Sequence, residues 1–410
     1  MDNYFQSLFA ERIGGILYGK SNEIYKFEKI KRAKRQAIAD FPNRPLLDFG
    51  IGENDAIADT EVRATMSNEI NKLENRGYAD NGCNEFKAAV ARFMLRQFKV
   101  KLDPATEINH CIGSKPALAM LPYAFINPSD ITLMTVPGYP VAGTHAKYCG
   151  GTVYNLPLKA ENNFYPDFDS IPDSIFQKAK LLILNYPNSP TGQVATVEFY
   201  EKVVELANRH KFVVVQDAAH VMFTYRGEPL SFLQIDGARD VGVEVHSLSK
   251  GWNMIGWRIA WICGNPLIVR AFADIKDNSD SGQFLAIQKS AIVALDNPDI
   301  PVQTNRKYYR RLQKLVKTLK NIGFDCEIPG GTYFLYVKAP TAVVNGQKFE
   351  SAEEVSQYLI REHSICTVPW DNAGAFLRFS VTYIAEDENA ENKLMQDLIE
   401  RLNGIKFEFS

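Results

Sequence analysis

Lys250 closes an apolar, β-type stretch and opens a polar one, in the run Val245-His-Ser-Leu-Ser-Lys-Gly-Trp-Asn-Met-Ile-Gly-Trp-Arg258. A lysine that attacks an aldehyde needs an amine, partial desolvation and a charged neighbour that lowers its pKa. Ser247, Ser249 and Arg258 supply hydroxyls and a guanidinium around it, which suit a dianionic phosphate. An aldehyde and a phosphate on one ligand point to pyridoxal phosphate (PLP), held as a Schiff base. The plain alternative is a surface lysine in a polar turn after a strand.

Five other segments carry groups that such a ligand or its substrate would use. Asp217 ends the apolar run Val213-Val-Val-Gln216. A carboxylate at the end of a buried strand is costly unless paired, and a pyridinium nitrogen would pair it; the alternative is a helix N-cap. Asn188, in Asn-Ser-Pro-Thr-Gly, could donate its amide to the ring's phenolic oxygen or simply shape a turn. Tyr139, in Pro137-Gly-Tyr-Pro140, could stack on the cofactor face or pack within a turn. Gly113-Ser114-Lys115 precedes a predicted helix, where free backbone N–H groups favour phosphate. Arg378 is a cation inside the apolar pattern Ala375-Phe-Leu-Arg-Phe-Ser380. It requires an anion, either a substrate α-carboxylate or an internal salt bridge.

The elements that must position these residues alternate along the chain. Helical periodicity covers Asp59–Glu74, Asn84–Phe98, Ser114–Ile126, Thr196–His210 and Asn305–Ile322. Strand patterns cover Ile131–Val136, Leu181–Leu184, Phe212–Val215, Val241–His246, Ile259–Cys263, Thr332–Val337 and Phe376–Val381. Apolar strands separated by helices predict an α/β domain with a mostly parallel sheet. Such sheets gather ligands at the carboxyl ends of their strands, where Asn188, Asp217 and Lys250 all fall. The expected division is an N-terminal arm with part of a small domain over 1–50, a large cofactor-binding domain over 51–300, and a smaller α+β domain over 301–410.

Composition excludes several classes. The chain has 410 residues, 46% hydrophobic and 23% charged, with 46 basic against 48 acidic side chains and a net charge of -2. That balance favours neither nucleic acid nor a membrane surface. The basic cluster Lys26 to Arg35, interrupted by Glu28, reads as a solvated helix face. The six cysteines are scattered, with no Cys-x-x-Cys pair, so a reducing cytoplasm is expected. No secretory leader or membrane span is evident. Nucleophile-elbow, zinc-protease and P-loop motifs are missing from the sequence.

In order and over nearly its whole length, the chain resembles the class I/II aminotransferases of PLP fold type I. The resemblance rests on Gly50-Ile-Gly-Glu53, Tyr78, Gly113-Ser-Lys115, Pro137-Gly-Tyr139, Asn185-Tyr-Pro-Asn-Ser-Pro-Thr-Gly192, Asp217, Ser247-Leu-Ser-Lys250, Arg258 and Arg378. It implies a large domain with a mostly parallel seven-stranded sheet, a smaller α+β domain and a homodimer with shared active sites. It makes Lys250 the Schiff-base lysine and proton shuttle, Asp217 the partner of the ring nitrogen, and Asn188 that of the phenolic oxygen. Ser114, Lys115, Ser247, Ser249 and Arg258 would hold the phosphate, with Tyr78 reaching the neighbouring subunit's. Arg378, Gly52, Asn188 and Tyr25 would contact an amino-acid or keto-acid substrate. Lys115, Glu53 and Tyr25 are candidates for its distal end.

Within that family the chain is most similar to the LL-diaminopimelate aminotransferase group. Ile24–Lys34, Glu74–Gly82, Ile112–Pro122 and Met134–Pro140 carry the likeness. Some residues depart from it. Asn54 stands where relatives carry proline. His220, in Asp217-Ala-Ala-His220, stands where aminotransferases carry the tyrosine that also bonds the phenolic oxygen. Gly251-Trp252 and Ile255 are also unusual. An imidazole at 220 resembles the Asp-Glu-Ile-His motif of PLP-dependent C–S lyases, which leaves β/γ-elimination, replacement or cyclisation as alternatives to transamination. A PLP-fold regulator is disfavoured, because no N-terminal residues are left over for a DNA-binding domain.

Overall fold

Hydrophobic patterning decides which strands lie side by side, and the computed structural model, which describes residues 4–20 and 26–409, shows the result. Seven strands form the main sheet: β2 (Ile108–Cys111), β3 (Ile131–Val136), β4 (Thr152–Pro157), β5 (Ala179–Asn185), β6 (Val213–Asp217), β7 (Gly242–Ser247) and β8 (Ala260–Gly264). Their spatial order is β2-β8-β7-β6-β5-β3-β4. All neighbours are parallel except those of β8, which runs antiparallel to both β7 and β2. Except for the edge strand β4, the strands are buried on both faces, and most are rich in Val, Ile and Leu, as a sheet covered by helices on two sides requires.

The helix Val197–His210 shows how the sequence builds one crossover. Thr196 caps it, accepting from the Phe199 N–H at 3.1 Å. Tyr200, Val203, Val204 and Ala207 fall on one face and are buried, and Lys211 ends the helix in the left-handed region at φ 61°. The apolar stripe carries the chain from β5 to β6 against the sheet. Burying the side chains of such a stripe contributes about 1.5–3 kcal/mol each.

Beyond residue 300 a second core forms around β9 (Phe334–Lys338), β12 (Val368–Trp370) and β13 (Phe376–Ser380), ordered β12-β13-β9 and antiparallel. Short pairs flank it: β1 (Leu47–Asp48) with β11 (Ile365–Cys366), and β10 (Ala342–Val343) with β14 (Phe407–Glu408). Leu47 and Phe49 belong to this core, and the helix Lys26–Asp40 packs on the helix Ala352–His363.

Several elements differ from the sequence reading. The helix expected over Asp59–Glu74 is split into Thr60–Glu69 and a 3-10 turn over Leu73–Arg76, with Asn75 tied back to Glu69. The helix expected from Asn305 begins at Asp299, because Pro301 lies in the first turn, where a missing N–H costs nothing. Thr332 has φ 67°, so β9 starts at Phe334. Strands β2 and β4 were not expected: Asn109 and His110 interrupt the apolar run of one, and the other is largely solvent-facing.

Candidate active site

Five strands that run the same way deliver five segments to one end of the sheet. β2 leads into Gly113-Ser114-Lys115, β3 into Pro137-Gly-Tyr139, β5 into Asn188, β6 ends at Asp217, and β7 leads into Lys250. Because β7, β6, β5 and β3 are adjacent, residues far apart in sequence converge at the carboxyl edge.

Lys250 is half-buried, and its Nζ donates to the Gly52 carbonyl at 3.0 Å. The Tyr333 hydroxyl donates to the same oxygen at 2.9 Å. Asn54 holds the loop in place: its Nδ2 donates to the Lys250 carbonyl and to Asn253 Oδ1, each at 2.6 Å. The asparagine at 54 therefore has a local function in this chain, joining the segment that carries Gly52 to the segment that carries Lys250.

Asp217 is buried and accepts from the Ala219 N–H at 3.1 Å. Burial pushes its carboxyl up to about 6, against the pull of that hydrogen bond and of the nearby His246 and Lys250. A carboxylate so penalised gains from a cationic partner. His220 is buried, with Nδ1 lacking a partner and its ring 5.3 Å from Tyr333 and 5.8 Å from Phe334. Burial, reinforced by Lys250 and Arg378, holds its imidazole well below the ordinary value. The ring is therefore neutral at neutral pH, with one N–H to donate.

Asn188 is fully buried. Its Oδ1 accepts from the Thr191 N–H at 3.1 Å and hydroxyl at 2.8 Å, which aims the amide nitrogen the other way. That nitrogen has only a long contact, 3.4 Å, to the Pro137 carbonyl. Tyr139 is 40% exposed at the mouth of this edge.

The phosphate-type groups also meet. Ser247 Oγ accepts from the Ser249 N–H at 3.1 Å, and Arg258 Nη1 reaches Ser249 Oγ at 3.4 Å. Arg258 sits in the left-handed region at φ 53°, a costly place for arginine. Gln283 donates to its carbonyl at 2.7 Å and helps to fix it there. Gly113 has φ 85°, and a Cβ at that position would lie 2.2 Å from Arg258 Nη2. Only glycine lets the guanidinium lie against the N-terminus of the helix Ser114–Phe125. That N-terminus has no side-chain cap, so its N–H groups and Arg258 form a cradle suited to a phosphate. Ser114 is half-buried and Lys115 exposed.

Arg378 is buried, and no carboxylate lies within ion-pair distance of it among the described residues. Nη2 donates to the Gly50 carbonyl at 3.1 Å, the guanidinium lies 4.1 Å above the Phe334 ring, and Nε has no partner. Burial lowers its pKa to about 10, against the influence of Tyr333 and Cys366. The internal salt bridge allowed by the sequence is therefore not found. Gly52 is beside it: a Cβ there would meet Arg378 Nη2 and Phe334 at 3.9 Å. Glu53 is exposed, Tyr78 is 86% exposed, and Tyr25 lies outside the described residues.

The donor set thus fits PLP: a phosphate cradle, a buried carboxylate needing a cation, two neutral donors, a lysine and an unpaired arginine. The aminotransferase class I and II family matches over residues 44–394. The chain belongs to that family. It is 53% identical over 418 residues to LL-diaminopimelate aminotransferase of Methanocaldococcus jannaschii, with all of both chains covered. It is 50% identical over 415 residues to the enzyme of the same name from Methanococcus maripaludis, again with full coverage. Among solved structures, substrate-bound BacF of Bacillus subtilis superposes with a TM-score of 0.85 at 27% identity, covering 95% of this chain and 97% of that one. The fold is that of the PLP fold type I aminotransferases. An aminotransferase family and full-length relatives with aminotransferase names support transamination over the elimination, replacement and cyclisation alternatives.

Sequence reasoning missed Tyr333 and Phe334. Both lie at the start of an apolar strand pattern and read as core; only the fold turns them toward Gly52, His220 and Arg378. Asn54 was noticed as a departure, but its bond to the Lys250 carbonyl had no sequence signal.

Proposed function

We propose that this aminotransferase moves an amino group between LL-diaminopimelate and 2-oxoglutarate, with PLP as cofactor. The observation that carries the reading is the pairing of Lys250, next to Gly52, with Arg378, a buried and carboxylate-free guanidinium near the same loop. One group would shuttle a proton and the other would hold an α-carboxylate, as an amino-acid α-carbon chemistry needs.

Bound at this edge, PLP supplies an electron sink for the pair released at the substrate α-carbon. Ser114, Lys115, Ser247, Ser249 and Arg258 would hold its phosphate, and Tyr139 would stack on its ring. Asp217 would face the ring nitrogen, where a cation relieves its buried charge. Asn188 and His220 would donate to the phenolic oxygen; the imidazole takes the place of the family's tyrosine as a neutral donor. Lys250 removes the α-proton and returns it on the other side of the exchange. Arg378, with Gly52, Asn188 and Tyr25, orients the substrate so that the α-proton faces Lys250.

We further propose a homodimer in the cytoplasm. Tyr78, Leu73, Ile57 and Ile70 are half or more exposed, as are Tyr4, Phe5 and Leu8. Such apolar surface favours a second copy, and Tyr78 would then reach the partner's phosphate. The six cysteines are free, which suits a reducing compartment. No helix among the described residues is long and apolar enough to cross a membrane. Residues 51–300 would form the cofactor-binding domain, and 301–410 with part of 1–50 the smaller one.

Replacing Lys250 with alanine tests the reading. Turnover and the long-wavelength cofactor absorbance should both vanish; full activity in that variant would refute it.

A further inference from the structure

The sheet face that carries Arg378 carries a second cation. In the pairing of β12, β13 and β9, Trp370 stands opposite Phe376, and Arg378 stands opposite Val368 and Tyr336. Directly paired residues and those two apart share a face, so Trp370, Val368, Phe376, Tyr336 and Arg378 form one surface, with the exposed Lys338 at its rim opposite Phe376. Lys26, at the first turn of the helix Lys26–Asp40, lies on it: its Nζ is 3.5 Å from the centre of the Trp370 ring and donates to the Pro369 carbonyl at 3.3 Å.

Among the described residues, no carboxylate lies within ion-pair distance of either cation. The two carboxylates on this side are engaged elsewhere. Asp371 caps the helix Ala352–His363, accepting from the Ala352 and Glu353 N–H groups at 2.7 and 3.2 Å. Glu353 pairs with Lys29 at 2.6 Å. Two donors are left over in the same place, Trp370 Nε1 and Arg378 Nε, both buried without a partner. Arg378 and Lys26, on one face with no carboxylate between them among the described residues, are costly unless an anion joins them.

We propose that Lys26 is a specificity-determining residue that binds the second carboxylate of a dicarboxylic substrate while Arg378 binds the first. The assignment rests on the reading of Arg378 as the α-carboxylate site. It makes the preferred amino donor and keto-acid acceptor dianions, and it explains why a lysine occupies a partly buried site at a helix start, where cations are disfavoured. Burial first, then the Arg378 cation, lowers the Lys26 pKa to about 8, against Asp371 and Glu353. Among the described residues, Arg378 and these two carboxylates are the charged groups facing it.

The test is calorimetric titration of the PLP-loaded enzyme with glutarate, an unreactive dicarboxylate, and with butyrate, its monocarboxylate counterpart. Lys26→Met should weaken glutarate on the order of tenfold, the loss of one charge-assisted contact, and leave butyrate unchanged. Lys26→Arg should restore glutarate. Wild-type affinity for glutarate should also fall as pH rises through about 8, and that for butyrate should not, a readout that needs no variant. Unchanged glutarate binding in Lys26→Met, an equal loss of butyrate, or a pH-independent glutarate affinity would overturn the proposal. Failure of the wild-type enzyme to transaminate any amino acid would overturn the functional reading instead, and leaves the binding comparison distinct.

Discussion

Lys250 and Tyr333 converge on one oxygen: the Gly52 carbonyl accepts from the lysine Nζ at 3.0 Å and from the tyrosine hydroxyl at 2.9 Å. The lysine comes from the edge of the parallel sheet and the tyrosine from the segment before β9, so the loop around Gly52 is held by both cores. Tyr333→Phe keeps the ring against His220 and removes the hydroxyl. We expect kcat to fall by about two- to tenfold, the worth of one hydrogen bond, with little change in Tm. Steady-state kinetics on the purified variant checks it.

Asp217 gives a prediction whose sign depends on the cofactor. Its carboxyl is raised to about 6 by burial. A carboxylate raised above its unfolded value destabilises the folded state above that pH, and the penalty is relieved as pH falls through about 6. In cofactor-free protein, Asp217→Asn should therefore raise Tm at pH 8, and the gain should shrink toward pH 4. The same variant should lose on the order of a hundredfold in kcat/KM once loaded, because the cation partner is gone. Calorimetry across pH, paired with kinetics, separates the two effects.

Gly113 has no room for a side chain. A Cβ would meet Arg258 Nη2 at 2.2 Å, and its φ of 85° disfavours any L-residue. Gly113→Ala should cost about 1–3 kcal/mol of stability and weaken PLP by at least about tenfold as Arg258 is displaced. Fluorescence titration with PLP measures the affinity directly.

Arg378→Lys should raise KM for the amino donor by on the order of a hundredfold while kcat changes less. The lysine keeps the charge but loses the planar fork that holds a carboxylate by two bonds. Its shorter reach also abandons the contact to the Gly50 carbonyl. An unchanged KM would assign the α-carboxylate to another cation.

Stability at low pH should depend on Glu391. Although burial pushes its carboxyl up, hydrogen bonds from Arg310, Arg311 and Lys314 hold it down at about 2. Its stabilisation is thus complete above the unfolded value and is lost as pH falls from about 4.5 toward 2. Arg311, itself buried, also pairs with Asp55 at 3.1 Å, next to the Asn54 that bonds Lys250. Glu391→Gln should destabilise the enzyme by about 3 kcal/mol, because it leaves a buried guanidinium short of charge. Denaturant midpoints at pH 7 check the size.

The parallel strands and their chemical ends were legible because each apolar run stops abruptly at polar, turn-forming residues: Val136 before Pro137-Gly138, Asn185 before Pro187, Ser247 before Lys250. Such runs have one physical reading, a strand covered on both faces. Elements that mix polarity were not legible. Strand β2 hides behind Asn109 and His110, whose side chains bond Asn81 and Gln283 inside the protein. Tyr333 and Phe334 belong to the site through the direction they face, which period-2 patterning cannot distinguish from core. Lys26 read as one charge in a solvated basic helix. Only the sheet register sets it on the face of Arg378.

The central claim is that this site exchanges an amino group with LL-diaminopimelate. The most direct measurement follows the absorption spectrum of the PLP-loaded enzyme when LL-diaminopimelate is added without a keto acid. The account predicts stoichiometric loss of the long-wavelength cofactor band and its return on adding 2-oxoglutarate. An unchanged spectrum with LL-diaminopimelate and with glutamate, or release of free ammonia in place of a reversible exchange, would contradict it.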